Sequence, residues 1–417
     1  MRAWILQRAL KPLQCSEAGV RRFVIELHKL VESHPPATAG GTDFRTLISE
    51  VALMRRVRCR TIPLRSLLLI LIIFSSSQAI TPRLKIVKVS DGVYAAIRTE
   101  SPGLTVNANC VFIINDDDVV VVDTTLTPGT ARETIAELKK LTNKPVKYVI
   151  NTHWHDDHIM GNQVYRDTFP GVEFIAHEKT REYLPTTGLA NRQAAMSPQG
   201  YPAFIDALKN RLSKNESVFG GPMDVEERSG YAASLEIAER YMSENPGVEI
   251  VLPTTTVQDR MSLRRGKRTI EIRYFGRGHT SGDLIVYLPR EQVVITGDLV
   301  VWPVPYVGSP QSHPGDWSKT LDQILALHAK RIVPGHGPVL TDDSQVRILS
   351  KMFASIDEQV RAAVKTGADL EQVRKSVNLD GFRDTLAGTS RMRKLIFRNY
   401  VTGPAVEAAY LDATAKQ

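Results

Sequence analysis

Strands that alternate with helices in two similar halves predict an α/β protein, with two sheets packed together and helices outside. Two observations carry that expectation. Short runs dense in Val, Ile and aromatic residues stop at Asn, Asp or Gly, and amphipathic stretches follow several of them. The composition, 42% hydrophobic and 24% charged over 417 residues, is that of a globular chain able to bury one large core or two ordinary ones.

The leader comes first. Residues 1–79 hold 12 Lys/Arg against 5 Asp/Glu, so they carry seven of the net +8 and leave the remainder near +1. A near-neutral body lacks the clustered cations that phosphate needs, and nucleic acid is not an expected partner. Within the leader, "MRRVRCRTIPLRSLLLILIIFSSSQA" runs from Met54 through five arginines, an apolar stretch at 67–74 and small residues at Ser77 and Ala79. That is the layout of a secretory signal peptide over about 54–79. The apolar stretch falls well short of the ~20 residues that cross a bilayer. Export to the periplasm or beyond is therefore expected, without a stable membrane anchor. Residues 1–53, broken by "PPATAGG", are expected to lie upstream of the true start at Met54 and to have no function. Cleavage after Ala79 would leave Cys110 as the sole cysteine, which excludes an intramolecular disulfide; in "CVFII" it reads as a buried structural thiol.

From residue 82 the pattern is strand-rich. "GVYAAIRT" and "NCVFIIN" read as strands, and "NDDDVVVVD" as a turn feeding a fully apolar strand that ends at Asp123. "TPGTARETIAELKKLTN" is a helix, with Thr127 as N-cap, Pro128 at its first position and a basic end. "PVKYVIN" is the next strand, and "VEFIAH" with "EKTREYL" repeats the theme. Between about 187 and 247, "AFIDALKNRLSKN" and "DVEERSGYAASLEIAERYMSEN" are amphipathic helices, read as a helical insertion. Strands return with "TIEIRYFG", "DLIVYLP" and "QVVITGD", then the helix "DWSKTLDQILALHA" and the strand "RIVPGHG". Residues 80–340 thus form the expected main domain, and 341–417 a helical C-terminal region.

The stretch "NTHWHDDHIMGN", residues 151–162, places His153, His155, Asp157 and His158 within six positions. His153 and His155 are two apart and project to one side of an extended backbone, whereas Asp157 and His158 open a helix and turn toward a second point. The pattern offers ligands to two neighbouring cations. Imidazole and carboxylate without thiolate suit zinc, with iron and manganese as alternatives. Three more ligand-type residues are expected at strand ends in Gly-flanked turns: His279 in "GRGHTSGD", Asp298 in "VITGDLV" and His336 in "VPGHGPV". His177 and His328, the latter expected inside a helix, read as structural. His313, in "SPQSHPGDW", is a candidate for the mouth of a pocket.

Taken in order, Asp123, the H-x-H-x-D-H run, His279, Asp298 and His336 resemble the motifs of the metallo-β-lactamase superfamily over about 82–340. The resemblance implies an αβ/βα four-layer sandwich with a dinuclear site. His153, His155 and His279 would hold one zinc ion; Asp157, His158 and His336 would hold the other, with Asp298 bridging. Asp123 would sit behind the ligands and accept hydrogen bonds that fix the histidine loop. A water shared by two cations would be the nucleophile, oriented by Asp157 as the catalytic group, and the reaction class would be metal-assisted hydrolysis of a small molecule.

Substrate is left open among esters, thioesters, lactones and amides. β-Lactamases proper belong to the superfamily, but the subclasses with a cysteine ligand would have Cys where Asp298 stands; Asp298 is similar to the glyoxalase II type. A β-lactamase is one alternative. A mononuclear iron oxidoreductase of persulfide dioxygenase type is another, which retention of both Asp298 and His336 disfavours. The insertion, with Tyr201, Phe204, Phe219 and Met223, reads either as a lid over the cleft or as a packed helix pair.

Overall fold

The computed structural model describes residues 83–308 and 311–415. The expected signal peptide and the 1–53 extension lie outside the described residues, as does the first part of the expected main domain. No described helix is long and apolar enough to cross a membrane.

Two sheets form. The first has seven strands in sequence order: β1 (Leu84–Ser90), β2 (Val93–Arg98), β3 (Cys110–Ile114), β4 (Val119–Val122), β5 (Val146–Ile150), β6 (Glu173–His177) and β7 (Thr255–Val257). Pairing is antiparallel from β1 to β4 and parallel from β4 to β7. The switch follows from the connections. Tight turns join β1 to β2 and β3 to β4 and a longer loop joins β2 to β3, while helix α1 (Pro128–Leu141) carries the chain from β4 to β5. That helix starts as its sequence demands: Thr127 and Thr130 form a reciprocal capping box, Pro128 opens the first turn, and Lys139 and Lys140 sit at the C-terminal end.

The loop after β5 holds the histidine motif and short helices α2 (Asp156–Ile159) and α3 (Asn162–Thr168). Helix α4 (Glu178–Tyr183) follows β6. Then come α5 (Thr187–Met196), α6 (Tyr201–Lys214) and α7 (Val225–Glu244), before the chain returns to β7. The second sheet is β8 (Arg260–Arg265), β9 (Arg268–Tyr274), β10 (Leu284–Leu288), β11 (Val293–Val301) and β12 (Arg331–His336), in the order β12-β11-β10-β9-β8. Its one parallel pair, β11 with β12, is joined through α8 (Pro314–Leu325). The tail is helical: α9 (Ser344–Lys365), α10 (Leu370–Ser376), α11 (Asp380–Ala387), α12 (Arg391–Phe397), a π-helical turn at Arg398–Thr402, and α13 (Pro404–Ala415).

The period of two along the strands builds the layers. In β4, Val120 and Val122 face the space between the sheets, joining Ile270 and Ile272 of β9 and Leu284 and Val286 of β10. Val119 and Val121 face outward against Ala131, Ile135 and Leu138 of α1. Strands buried on both faces need runs without polar interruption, which is why β4 reads VVVV. Beyond the second sheet, Trp317 of α8 stacks on Phe353 of α9 with ring centroids 4.1 Å apart. Helix, sheet, sheet, helix: the α/β sandwich expected from the sequence is the fold observed.

Local expectations needed correction. The insertion region contains a third helix, α5, whose weak amphipathic pattern gave no signal. Three strands, β1, β7 and β8, went unread. Asp298 lies inside the nine-residue β11, not at its end, because the strand continues past an irregular register at Gly297. His279 stands in a loop five residues past the end of β9. His328 is exposed and sits beyond the end of α8, with a left-handed φ of 48°.

Candidate metal centre

Both sheets send their chain ends to one point. β4 is followed by Asp123, β5 by the histidine loop, β10 is preceded by His279, Asp298 sits in β11 and His336 closes β12. Close backbone approach makes this possible. Gly297 takes a left-handed φ of 51°, and a Cβ there would meet Thr152 Oγ1 at 2.5 Å. A Cβ on Gly335 would lie 1.9 Å from Asp298 Oδ1, so a side chain there would push the carboxylate away.

Four of the buried atoms without a hydrogen-bond partner among the described residues meet here: Asp157 Oδ2, His158 Nε2, Asp298 Oδ1 and His336 Nε2. They crowd together. His336 Nε2 is 3.1 Å from Asp157 Oδ2 and 3.3 Å from Asp298 Oδ1; His158 Nε2 is 3.4 Å and 3.3 Å from the same two oxygens. Ligands about 2.0–2.1 Å from a tetrahedral zinc are about 3.3 Å from one another. Orphaned donors at that spacing fit a cation at their centre. A second cluster adjoins it: His155 Nδ1 lies 3.1 Å from His153 Nε2 and 2.8 Å from His279 Nε2. Asp298 faces both, since its Oδ2 is 3.5 Å from His279 Nε2 while its Oδ1 addresses His158 and His336. The structure thus brings together all seven residues singled out in the sequence, in three overlapping groups: His153, His155 and His279; His153, His158 and Asp298; and Asp157, His158 and His336.

Asp123 is the support. Its Oδ1 accepts from Thr152 N–H and its Oδ2 from Thr152 Oγ1, both at 2.8 Å, and Oδ2 is also 2.8 Å from His158 Nδ1. With that proton on Nδ1, the His158 Nε2 lone pair points at the centre. Thr152 Oγ1, 3.1 Å from His153 Nδ1, sets that ring the same way. Asp123 itself takes a left-handed φ of 59° to reach both.

Electrostatics divide the two clusters. Burial pushes His153 and His155 down, His155 to about 3, with neighbouring imidazoles adding to the effect, so these rings are neutral lone-pair donors. Burial also opposes charge on His158 and His336, but there the carboxylates win. Asp157, Asp123 and Asp298 hold His158 well above its usual range, and Asp298 and Asp157 push His336 up to about 9. A divalent cation entering that half would displace those protons.

A cleft of about 550 Å³ opens on the centre, exposing His155, Asp157, His279 and Asp298. Its walls come from distant parts of the chain: Leu104–Val106 beside β3, Tyr201 and Phe204 on α6, Tyr241 on α7, Tyr306, and Tyr400 in the π-helical turn. Of the insertion residues picked out in the sequence, Tyr201 and Phe204 line the cleft. Met223 is buried in the core, and Phe219, 46% exposed, lies under Arg391 and Arg398. His313 does not line the cleft. It precedes α8 and links Ser281, at 2.8 Å, to Asp412 of α13, at 3.3 Å, tying the tail to the His279 loop. His177 caps α4 by accepting from Lys179 N–H. Cys110 is fully buried, and burial pushes its thiol far up.

Sequence reasoning missed Tyr306, Tyr400 and the Asp156–Arg192–Tyr241 group. Asp156 stood inside the motif and could have been asked for its partner; the tyrosines carried no signal, because only tertiary packing brings them to the cleft.

The chain is similar in sequence to known proteins. The family model described as "Metallo-beta-lactamase superfamily" matches residues 104–336. The chain is 24% identical over 280 residues to a linear primary-alkylsulfatase of a Pseudomonas species, covering 63% of this chain and 48% of that protein. A Bacillus cereus metallo-beta-lactamase type 2 is 27% identical over 124 residues, covering 29% and 47%. A beta-lactamase-like protein 2 homolog of Caenorhabditis elegans is 22% identical over 292 residues, covering 69% and 72%. The chain spans about half the length of the first two of these relatives. Among solved structures, a metallo-beta-lactamase from Pontibacter korlensis aligns with a TM-score of 0.43 and 19% identity, over 65% of this chain and 98% of that one. With the family model spanning more than half of its residues, the chain belongs to the metallo-β-lactamase superfamily.

Proposed function

We propose that the protein is an exported dinuclear zinc hydrolase that cleaves an ester, thioester, lactone or amide bond of a small molecule. The observation that carries this reading is the set of four partnerless buried atoms, two imidazole nitrogens each 3.1–3.4 Å from two carboxylate oxygens, beside a triad of imidazoles facing a shared point of their own. His153, His155 and His279 are assigned to one ion, and Asp157, His158 and His336 to the other, with Asp298 between. When bound, the ion pair supplies Lewis acidity and a water acidic enough to ionise near neutral pH.

The chain's own residues do the rest. Asp157, partly open to the cleft, orients the attacking water and receives its proton. Asp123 and Thr152 keep His158 and His153 presented through Nε2. Trp154 and Leu126 keep bulk water from one flank of the cleft. The leader over 54–79 supports export. The single-iron alternative leaves the Asp157–His158–His336 half of the centre without a role.

A turnover screen tests the proposal, using zinc-loaded protein with esters, lactones, glutathione thioesters, β-lactams and primary alkyl sulfates. Hydrolysis of at least one of the first three classes is expected, abolished by chelation and by His155→Ala. Activity that survives His155→Ala undiminished would refute the assignment of the site.

A further inference from the structure

Every charged side chain lining the cleft is an acid: Asp156, Asp157 and Asp298. No Lys or Arg lines it among the described residues. Asp157 and Asp298 are committed to the centre. Asp156 is committed elsewhere: Arg192 Nη1 donates to its Oδ1 at 3.0 Å and the Tyr241 hydroxyl to its Oδ2 at 2.6 Å. That guanidinium does not line the cleft: it is 4% exposed, and its Nη2 donates to the Leu184 carbonyl at 2.7 Å. The remaining walls are mainly apolar or aromatic, with Leu104, Leu126, Phe204, Tyr201, Tyr306 and Tyr400 among them and Thr105 and Asn191 as the polar exceptions. Two of the phenols are already engaged, Tyr400 donating to the Leu104 carbonyl and Tyr306 to the Gly103 carbonyl at 3.4 Å.

We propose that the substrate is an uncharged carboxylic ester or lactone whose acyl part is an apolar chain laid along the aromatic wall between Phe204 and Tyr400. The proposal rests on the hydrolase reading above and narrows it. The centre can hold the reacting carbonyl, but a second, anionic group further along the substrate meets apolar rings and carboxylates. It would lose its hydration without gaining a cation. An apolar chain, by contrast, gains from every methylene it buries, and about 550 Å³ lies within the usual range for a small-molecule site.

Two readouts on the zinc-loaded full chain separate this inference from the hydrolase reading. The first is binding of alkyl methyl ketones, which cannot be hydrolysed, compared with the keto acids of equal length that end in a carboxylate. The second is kcat/KM for p-nitrophenyl acetate, butyrate, hexanoate and octanoate, and for the half-ester of octanedioic acid. Affinity and kcat/KM should each rise about fourfold per buried methylene, and the carboxylate-tipped compounds should fall at least tenfold below their neutral counterparts. Ala195→Arg, which adds a cation to the wall, should reverse that discrimination, and Phe204→Ala should flatten the dependence on chain length. Chain-dependent ketone binding without ester turnover would sustain the cleft assignment and overturn the hydrolase reading. Turnover that is indifferent to chain length, or faster for the anionic half-ester, would overturn the substrate class and leave the hydrolase reading standing.

Discussion

The metal centre and the cleft that opens on it are built by opposite means. At the centre, seven ligand-type side chains from both sheets crowd within a few ångströms, five of them buried, and His158 is held by the acceptor Asp123. The cleft walls are aromatic and aliphatic, partly exposed, and drawn from the insertion, the β2–β3 loop and the tail. The centre tolerates no looseness, because a donor displaced by an ångström no longer reaches a shared ion. The wall needs only shape and hydrophobicity. Chemistry is therefore fixed in the sandwich, while substrate choice belongs to segments added around it.

Three substitutions would break or sharpen that division. Asp123→Ala should be the most damaging, although Asp123 is assigned no metal. It releases Thr152 and His158 together, and loss of such supporting acceptors costs about 10–100-fold in metal affinity. Competition with a chelator of known affinity measures it, and affinity within twofold of the parent would contradict the supporting role. Phe204→Ala should change KM severalfold while leaving metal content at the parental level. Atomic emission analysis checks the second half, and loss of metal would show that wall and centre are not separable.

The smallest effect concerns pH. Asp283 is buried, and burial lifts its carboxyl to about 7 despite hydrogen bonds from Thr280 N–H at 2.8 Å and Thr280 Oγ1 at 2.6 Å. Its folded value lies above the ordinary 3.8, so the folded state holds this proton more tightly than the unfolded chain. The stability it contributes is complete below about pH 4 and is lost as pH rises through about 7. Melting temperature should decline across that window in the parent and decline less in Asp283→Asn. Equal slopes would contradict the assignment.

The same division explains what could be read from the sequence. Several candidate ligands were legible because chain breaks are local: an apolar run that stops at Asp123, or a Gly-flanked His336, announces itself within a few residues. Asp298 was singled out and does reach the cluster, but it was misplaced at a strand end, since nothing local shows that β11 runs on past Gly297. Asp123 was legible by its motif, whereas its bonds to Thr152 and His158 had to be seen. The wall was half legible. Tyr201 and Phe204 stood out as aromatics on an amphipathic helix, but Met223 had the same look and packs in the core. Tyr306 and Tyr400 gave no sign, because they reach the cleft through packing between segments nearly a hundred residues apart.

Metal stoichiometry tests the central claim most directly. The purified parent should carry roughly two zinc ions per chain and His336→Ala roughly one, since that substitution opens one half of the centre and leaves the His153–His155–His279 half intact. One iron per chain in the parent, or a metal content unchanged by His336→Ala, would contradict the paired-ion account.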